Sequence, residues 1–388
     1  MKQLTQEADS SLSKENSRID PLAILHTEWS KGWGGQGQRI ILECKKLKAL
    51  GHKVVIACQP DSPILRKAKE NGIPTEEVHI RGKLDLLAIR NIVSVIKKHR
   101  ITVVNTHSSK DTWVASLAAK LSGVPLLVRT RHISNRIPNN PFNFIHRLAD
   151  GISTTGDFIR DELIKVNRFP PEKVQSIPSG VSLERFDPLT AKGERVRREF
   201  GISDQCQLVT MVAVYRGMKR HDLLVSAATV LRQSFPEVKF LLVGRGTDSD
   251  ELKKLVSEAG LQDTIICIGH RDDIPDILSA SDVVVLTSDR DEGVPQALSQ
   301  AMAMQRPVVA APIGSIPELV LDGKTGLLAK TGDAQSFAEK IERLLSDAAL
   351  SESLGAAARR HILDNYTDDI MAEKTIAFYQ RLLAAKSL

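Results

Sequence analysis

The sequence predicts an α/β protein made of two Rossmann-like domains in tandem, each a parallel sheet with helices on both faces. Three observations predict it. The chain has 388 residues, too many for one ordinary domain and about right for two. From Leu22 onward, short apolar runs alternate with longer amphipathic segments, the rhythm of parallel strands joined by helices. Aromatic residues make up 4% of a chain that is 42% hydrophobic, so Leu, Ile, Val and Ala must fill the cores. That suits helices packed on parallel sheets better than a β-sandwich.

In the first unit, Leu22 to His26 reads as a strand and Gln38 to Leu50 as a helix closed by Gly51, which suits a left-handed C′ position. Lys53 to Cys58 is the second strand, and Pro63 to Asn71 a helix closed by Gly72. Leu84 to Lys98 and Thr112 to Leu121 read as helices, with strands at Ile101 to Asn105, Leu126 to Thr130, Gly151 to Thr155 and Val174 to Ile177. Phe186 to Gly193, carrying Pro188, reads as a linker. The second unit places strands at Leu208 to Val214, Lys239 to Val243, Thr264 to Ile268, Val283 to Leu286, Pro307 to Ala310 and Gly326 to Ala329. These give domains at 21–187 and 188–367. A last amphipathic helix within 368–388 is expected to pack back on the first domain.

Composition excludes several classes. Cys44, Cys58, Cys206 and Cys267 form no CxxC pair and no metal-ligand spacing with histidine, so they read as reduced, buried thiols. Residues 1–20 are polar and lack an apolar signal region, so a disordered tail and a cytoplasmic location are expected. No apolar stretch reaches the roughly 18 residues of a membrane span. Residues 1–190 carry 29 Lys and Arg against 19 Asp and Glu, a net of +10, and the rest carries −4. A basic first half attracts a phosphorylated acceptor or an anionic membrane face, and equally it can be solvated helix surface. Nucleic acid is not expected, because no aromatic platform is interleaved with the charges.

Several local patterns carry chemistry. Gly32-Trp33-Gly34-Gly35-Gln36-Gly37 spells G-x-G-x-x-G between a strand and a helix, where glycines let a phosphate approach backbone N–H groups. It keeps an NAD-linked oxidoreductase open, with Asp61 as its acidic partner. The block Val212 to Asp222 follows a strand and opens a helix, placing Arg216 and Lys219 where a diphosphate would sit. In Ser288 to Ala310, Glu292 follows a strand, Pro295 can begin a helix, and Gln300 lies on it; carboxylate and amide both suit sugar hydroxyls. Asp248-Ser249-Asp250 and Asp289-Arg290-Asp291 spell D-x-D but read as chance acidic triplets, and no metal site is expected. Gly323-Lys324-Thr325 lacks the upstream glycine of a P-loop and reads as a turn.

The run from Glu292 to Ala310 resembles the E-x7-E signature of retaining glycosyltransferase family 4, E-G-x-P-x-x-x-x-E-A-M-A-x-G-x-P-V-V-A, with Gln300 at the second glutamate and Arg306 or Gln305 where a glycine is usual. Leu50-Gly51-His52-Lys53-Val54, Ile177-Pro178-Ser179-Gly180-Val181 and Gly269 to Val283 also look like family stretches, so the resemblance covers nearly the whole chain after the tail. It implies the GT-B fold, two Rossmann-like domains facing each other across a cleft. It implies a nucleotide-sugar donor whose diphosphate meets Arg216 and Lys219. Glu292 would orient the donor sugar, Gln300 the ribose, and His107 would close the site. The wider substrate site would take in Gly34, Gly35, His132, Gly244, His270, Arg271, Gly293, Val294 and Pro295.

The expected activity is therefore metal-independent sugar transfer with retention, using no cofactor beyond the sugar nucleotide. The acceptor would be a cell-envelope glycan or lipid-linked molecule, as in lipopolysaccharide synthesis. Peripheral contact with an anionic membrane would place the chain at the inner face of the plasma membrane. A nucleotide-sugar epimerase on the same fold and the NAD-linked oxidoreductase remain alternatives at this stage.

Overall fold

The structure is a computed structural model that describes residues 21–134, 137 and 141–386; the expected tail lies outside the described residues. Two parallel sheets account for the strands. The first contains β1 (Ala23–Glu28), β2 (Lys53–Cys58), β3 (Thr75–Glu77), β4 (Val103–Thr106), β5 (Leu126–Arg131), β6 (Gly151–Thr154) and β7 (Val174–Ser176), in the order β3-β2-β1-β4-β5-β6-β7. The second contains β8 (Leu208–Val212), β9 (Lys239–Val243), β10 (Ile265–Gly269), β11 (Val283–Leu286), β12 (Val308–Ala310) and β13 (Leu327–Leu328), in the order β10-β9-β8-β11-β12-β13. The α/β class, the two Rossmann-like halves and the GT-B arrangement read from the sequence are borne out.

Each strand order reverses direction once, at β1/β4 in the first sheet and at β8/β11 in the second. Such switch points leave a crevice outside the strands' carboxyl ends, because the helices that follow the two strands lie on opposite faces. Both cores are built as parallel sheets require, with apolar layers on each side of buried, Val- and Ile-rich strands.

The helix Asp368–Lys386 belongs physically to the first sheet. Met371, Ile376, Phe378, Tyr379 and Leu382 pack among Ile24, Val54 and Leu126, and the Asn105 amide donates to the Tyr379 hydroxyl at 2.9 Å. Each buried side chain of this size contributes roughly 1.5–3 kcal/mol. The chain therefore returns to the first domain through this helix.

Local capping explains where the elements differ from the pattern read along the chain. Asp85 caps the helix Leu86–His99, its carboxylate accepting from the Ala88 amide at 3.0 Å, so the helix cannot begin at Leu84. The first helix begins at Gly35, three residues before the apolar periodicity does. The short edge strand β3 carries Thr75, Glu76 and Glu77 and has no apolar signature at all. Phe186, placed in the linker by its neighbours, is 3% exposed and packs with Val181 into the second core.

Candidate active site

The site residues come from the carboxyl ends of the four switch-point strands and of their neighbours β5 and β9. Beyond β8 the chain forms a short turn, Gly217–Lys219, and then the helix His221–Leu231. This turn is pinned to the chain beyond β11. The Thr287 hydroxyl is 2.9 Å from the carbonyls of both Lys219 and Arg220, and the Asp289 amide donates to the Met218 carbonyl at 3.1 Å. The pinning delivers the Lys219 ammonium onto Glu292, to which it donates a hydrogen bond. Ser288 Oγ donates to the same Glu292 oxygen at 2.6 Å. Glu292 is 6% exposed, so its carboxylate is desolvated and needs both donors.

The residues around this pair are shaped by the facing domain. A Cβ on Gly293 would lie 2.2 Å from Thr155 Oγ1 and 3.0 Å from the His132 carbonyl. The Val294 amide donates to the Thr155 carbonyl at 3.1 Å. Gly244 follows β9 at φ 143°, and a Cβ there would lie 2.1 Å from the Ala213 carbonyl oxygen, so the strand-end loops meet only if it is glycine. Glu318 reaches from the C-terminal domain to the N-terminus of the helix Asp157–Lys165, accepting from the amides of Asp157 and Phe158 at 2.7 Å each. A carboxylate there also meets the positive end of the helix dipole. These contacts join the two domains beside the Lys219–Glu292 pair.

On the N-terminal side, His107 follows β4 and is fixed from its backbone: its amide donates to Asp111 at 2.9 Å, and the Ser108 amide donates to the same carboxylate. Both ring nitrogens of His107 are taken. Nε2 lies 2.9 Å from His26 Nδ1, and Nδ1 lies 3.0 Å from His132 Nε2. Burial is the first cause that holds His107 and His132 well below the usual histidine range, and Arg39 adds to it for both. Glu28 ends β1 and accepts from the Ser30 amide at 2.7 Å, the Ser108 hydroxyl at 2.8 Å and the Gln36 amide. Burial, and then the nearby Asp111 carboxylate, push its carboxyl up to about 7.

The structure thus brings Lys219, Glu292, Gly293, Val294 and His132 together, with His107 behind His132. Pro295 caps the helix Gln296–Ala303, which carries Gln300. Gln300 Nε2 donates across the cleft to Gln38 Oε1 at 3.2 Å and to Gln296 Oε1 at the same distance. Gly34 caps the first helix and Gly35 starts it; the space over Gly34 is open, and a Cβ on Gly35 would lie 3.7 Å from Gln296 Cγ. Arg216 is exposed at the start of the Lys219 turn. Two residues stand apart from the cluster. Arg271 spends its guanidinium on Glu199 and Asp273, which raise its pKa, and His270 is exposed with Asp272 3.7 Å away.

Of the acidic triplets, Ser249 caps the helix Asp250–Glu258, and Asp289 pairs with Arg220 at 3.2 Å. The Gly323-Lys324-Thr325 stretch is a turn before β13. Glu28, Asp111, Thr155 and Glu318 were missed by pattern reading. Glu28 was within reach of it, because β1 runs two residues past His26.

Comparison with known proteins decides among the readings. The profile of the "Glycosyltransferase Family 4" domain matches residues 33–185, and that of "Glycosyl transferases group 1" matches residues 193–361. A D-inositol 3-phosphate glycosyltransferase of Salinispora arenicola is 30% identical over 313 residues, 73% of this chain and 69% of the relative. The chain belongs to glycosyltransferase family 4. A UDP-Gal:α-D-GlcNAc-diphosphoundecaprenol α-1,3-galactosyltransferase of Escherichia coli is 29% identical over 72% of this chain and 75% of its own length. A crystal structure of a glycosyltransferase from Rickettsia africae superposes at a TM-score of 0.84, with 23% identity, over 94% of this chain and 99% of that one. This family 4 chain is thus a glycosyltransferase, and the oxidoreductase and epimerase readings fall away. Its glycine-rich first loop packs against the other domain, where Arg245 donates to the Trp33 carbonyl at 3.3 Å.

Proposed function

We propose that this glycosyltransferase moves a sugar from a nucleotide-diphosphate donor to a lipid-linked or glycan acceptor of the cell envelope, with retention and without a metal ion. The observation that carries the reading is the Lys219–Glu292 pair at the β8/β11 switch point, set against His132 of the facing domain. A sugar nucleotide entering there meets the Lys219 ammonium at its diphosphate and the Glu292 carboxylate at its sugar hydroxyls. As the glycosidic bond breaks, negative charge grows on the leaving diphosphate. A fixed, largely buried ammonium stabilises that charge directly. Arg216, exposed at the mouth of the same turn, adds a second cation. Gln300 and the open backbone at Gly34 serve the ribose and phosphate ends of the donor.

The acceptor side supports a lipid-linked substrate. The Escherichia coli relative is named for a GlcNAc-diphosphoundecaprenol acceptor. Leu84, Leu86 and Leu87 are 67%, 78% and 58% exposed beside Arg81, Lys83 and Arg90, a mixture of apolar and basic groups that suits an anionic bilayer surface. Among the described residues no helix is long and apolar enough to cross a membrane. We place the chain at the inner face of the plasma membrane, in assembly of a lipopolysaccharide-like glycan.

The test is product analysis by NMR, with an α-linked UDP-sugar donor, a polyprenyl-diphosphate-sugar acceptor and excess EDTA. An α-linked product formed at an undiminished rate is expected. A β-linked product, or a rate restored only by divalent metal, would overturn retention or metal independence respectively.

A further inference from the structure

Nothing in the sequence patterns points to His26, yet it is the inner end of a row of three imidazoles. It sits on β1 with no exposure, its ring stacked on His107 at 5.2 Å between centroids and 15° between planes. Its Nδ1 faces His107 Nε2 at 2.9 Å, and His107 Nδ1 faces His132 Nε2 at 3.0 Å. His26 Nε2 is buried and has no hydrogen-bond partner among the described residues. His132 is the partly exposed end, beside the Gly293 loop.

A neutral imidazole has one N–H and one lone pair. In a row joined by single hydrogen bonds, each ring donates at one nitrogen and accepts at the other, so the state of one end sets the state of all. The row is neutral at neutral pH. Burial lowers the pKa of all three rings, and Arg39 opposes charge on each. Arg129 and Arg131 further disfavour a charged His132, while Glu43, which favours a charged His26, is itself paired with Arg39 at 3.3 Å. Two directions are then available. In one, His26 keeps its proton on Nε2, leaving a buried N–H with no acceptor. In the other, the proton is on Nδ1 and is shared with His107. Orphaned buried N–H groups are rare because the full desolvation cost stays uncompensated, so the second direction wins.

We propose that His26 is a positioning residue: by donating from Nδ1 it sets the direction of the row, so that His107 donates to His132 and His132 offers an N–H, not a lone pair, to an oxygen of the sugar substrates. This rests on the cleft being the sugar-transfer site. His107 then acts through His132, since neither of its ring nitrogens is free to touch a substrate. The oxygen recognised is a hydroxyl or a phosphoryl oxygen, both of which accept.

Two experiments test it. In the full-length protein with 15N-labelled histidine, NMR at pH 7.5 should show His26, His107 and His132 all protonated on Nδ1; protonation on Nε2 in this row, or a doubly protonated His107, would overturn the proposal. This readout needs neither activity nor a variant that folds. The second uses two side chains of equal size. In His26→Asn the amide still donates to His107, whereas in His26→Asp the carboxylate only accepts and turns the row around. Asn should keep kcat within about tenfold of the parent, and Asp should lose at least about 100-fold with its circular dichroism unchanged. Equal losses would mean that His26 only fills space. Within the Asp variant, a raised KM for the sugar nucleotide places the recognised oxygen on the donor, and a raised KM for the acceptor places it on the acceptor; either supports the proposal, and neither rising overturns it. Titration of the parent with UDP, GDP and ADP separates the two levels. Failure to bind UDP, GDP or ADP alike would remove the donor site assigned to this cleft while leaving the tautomers as measured.

Discussion

Lys219 and Glu292 lie 73 residues apart in sequence, yet the ammonium of one donates to the carboxylate of the other at the β8/β11 switch point. Thr287, Ser288 and Asp289 hold both members in place from consecutive positions beyond β11. The pair is thus preorganised before any donor arrives, which is the condition under which a fixed charge contributes most to catalysis.

Closure of the cleft depends on the missing side chain at position 293. Gly293→Ala would put a methyl group 2.2 Å from Thr155 Oγ1. The variant should lower kcat/KM at least about tenfold, a loss of about 1.4 kcal/mol, by holding the domains apart. Adding Thr155→Ala removes that oxygen and should recover most of the loss. Steady-state kinetics on the two variants checks this, and an inactive double variant would place the effect elsewhere.

Position 305 stores strain. Gln305 adopts φ 59° at the end of the helix Gln296–Ala303, a left-handed conformation that favours glycine. Gln305→Gly should therefore raise stability by about 0.5–1 kcal/mol and leave transfer unaffected. Thermal denaturation reads it; a lower midpoint would contradict it.

Glu28 makes stability depend on pH. Burial and Asp111 push its carboxyl from an ordinary 4.5 up to about 7. The folded state therefore holds this proton more tightly than the unfolded chain. Its contribution is fully present below about 4.5 and is lost as pH rises through about 7. Glu28→Gln should flatten this window and be more stable than the parent at pH 8 by about 1–3 kcal/mol. Denaturation midpoints at pH 5.5 and pH 8 check the sign, and a variant less stable at pH 8 would contradict it.

The exposed leucines predict lipid binding. Replacing Leu86 and Leu87 with glutamate should weaken cosedimentation with phosphatidylglycerol-containing vesicles at least about tenfold, because apolar burial and cationic attraction are both lost. Transfer to a short, soluble acceptor should persist. Unchanged sedimentation would show that the patch does not meet the bilayer.

Much of this was legible in the sequence because parallel strands and their following loops are local objects. The runs Lys53–Cys58 and Lys239–Val243 are continuous apolar segments, and the structure returns the same boundaries. Glu292 stood out because a carboxylate, a glycine and a helix-capping proline fall within one run of four residues in the loop after a strand. Relations across the cleft left no local trace. Thr155 against Gly293, Glu318 on the amides of Asp157 and Phe158, and Gln38 on Gln300 join segments more than 130 residues apart. The partners of Arg271 were hidden for the same reason: Glu199 lies 72 residues away. The row from His26 through His107 to His132 also required the strand order, which puts β1 beside β4 and β4 beside β5.

The most direct measurement is sugar transfer from a UDP-sugar donor by Lys219→Ala and Glu292→Gln, each with its circular dichroism matched to the parent. Both should lose at least about 100-fold in kcat/KM, and the double variant should lose less than the product of the two, because the side chains act as one unit. Transfer at the parent rate by either folded variant would contradict the site described for this glycosyltransferase.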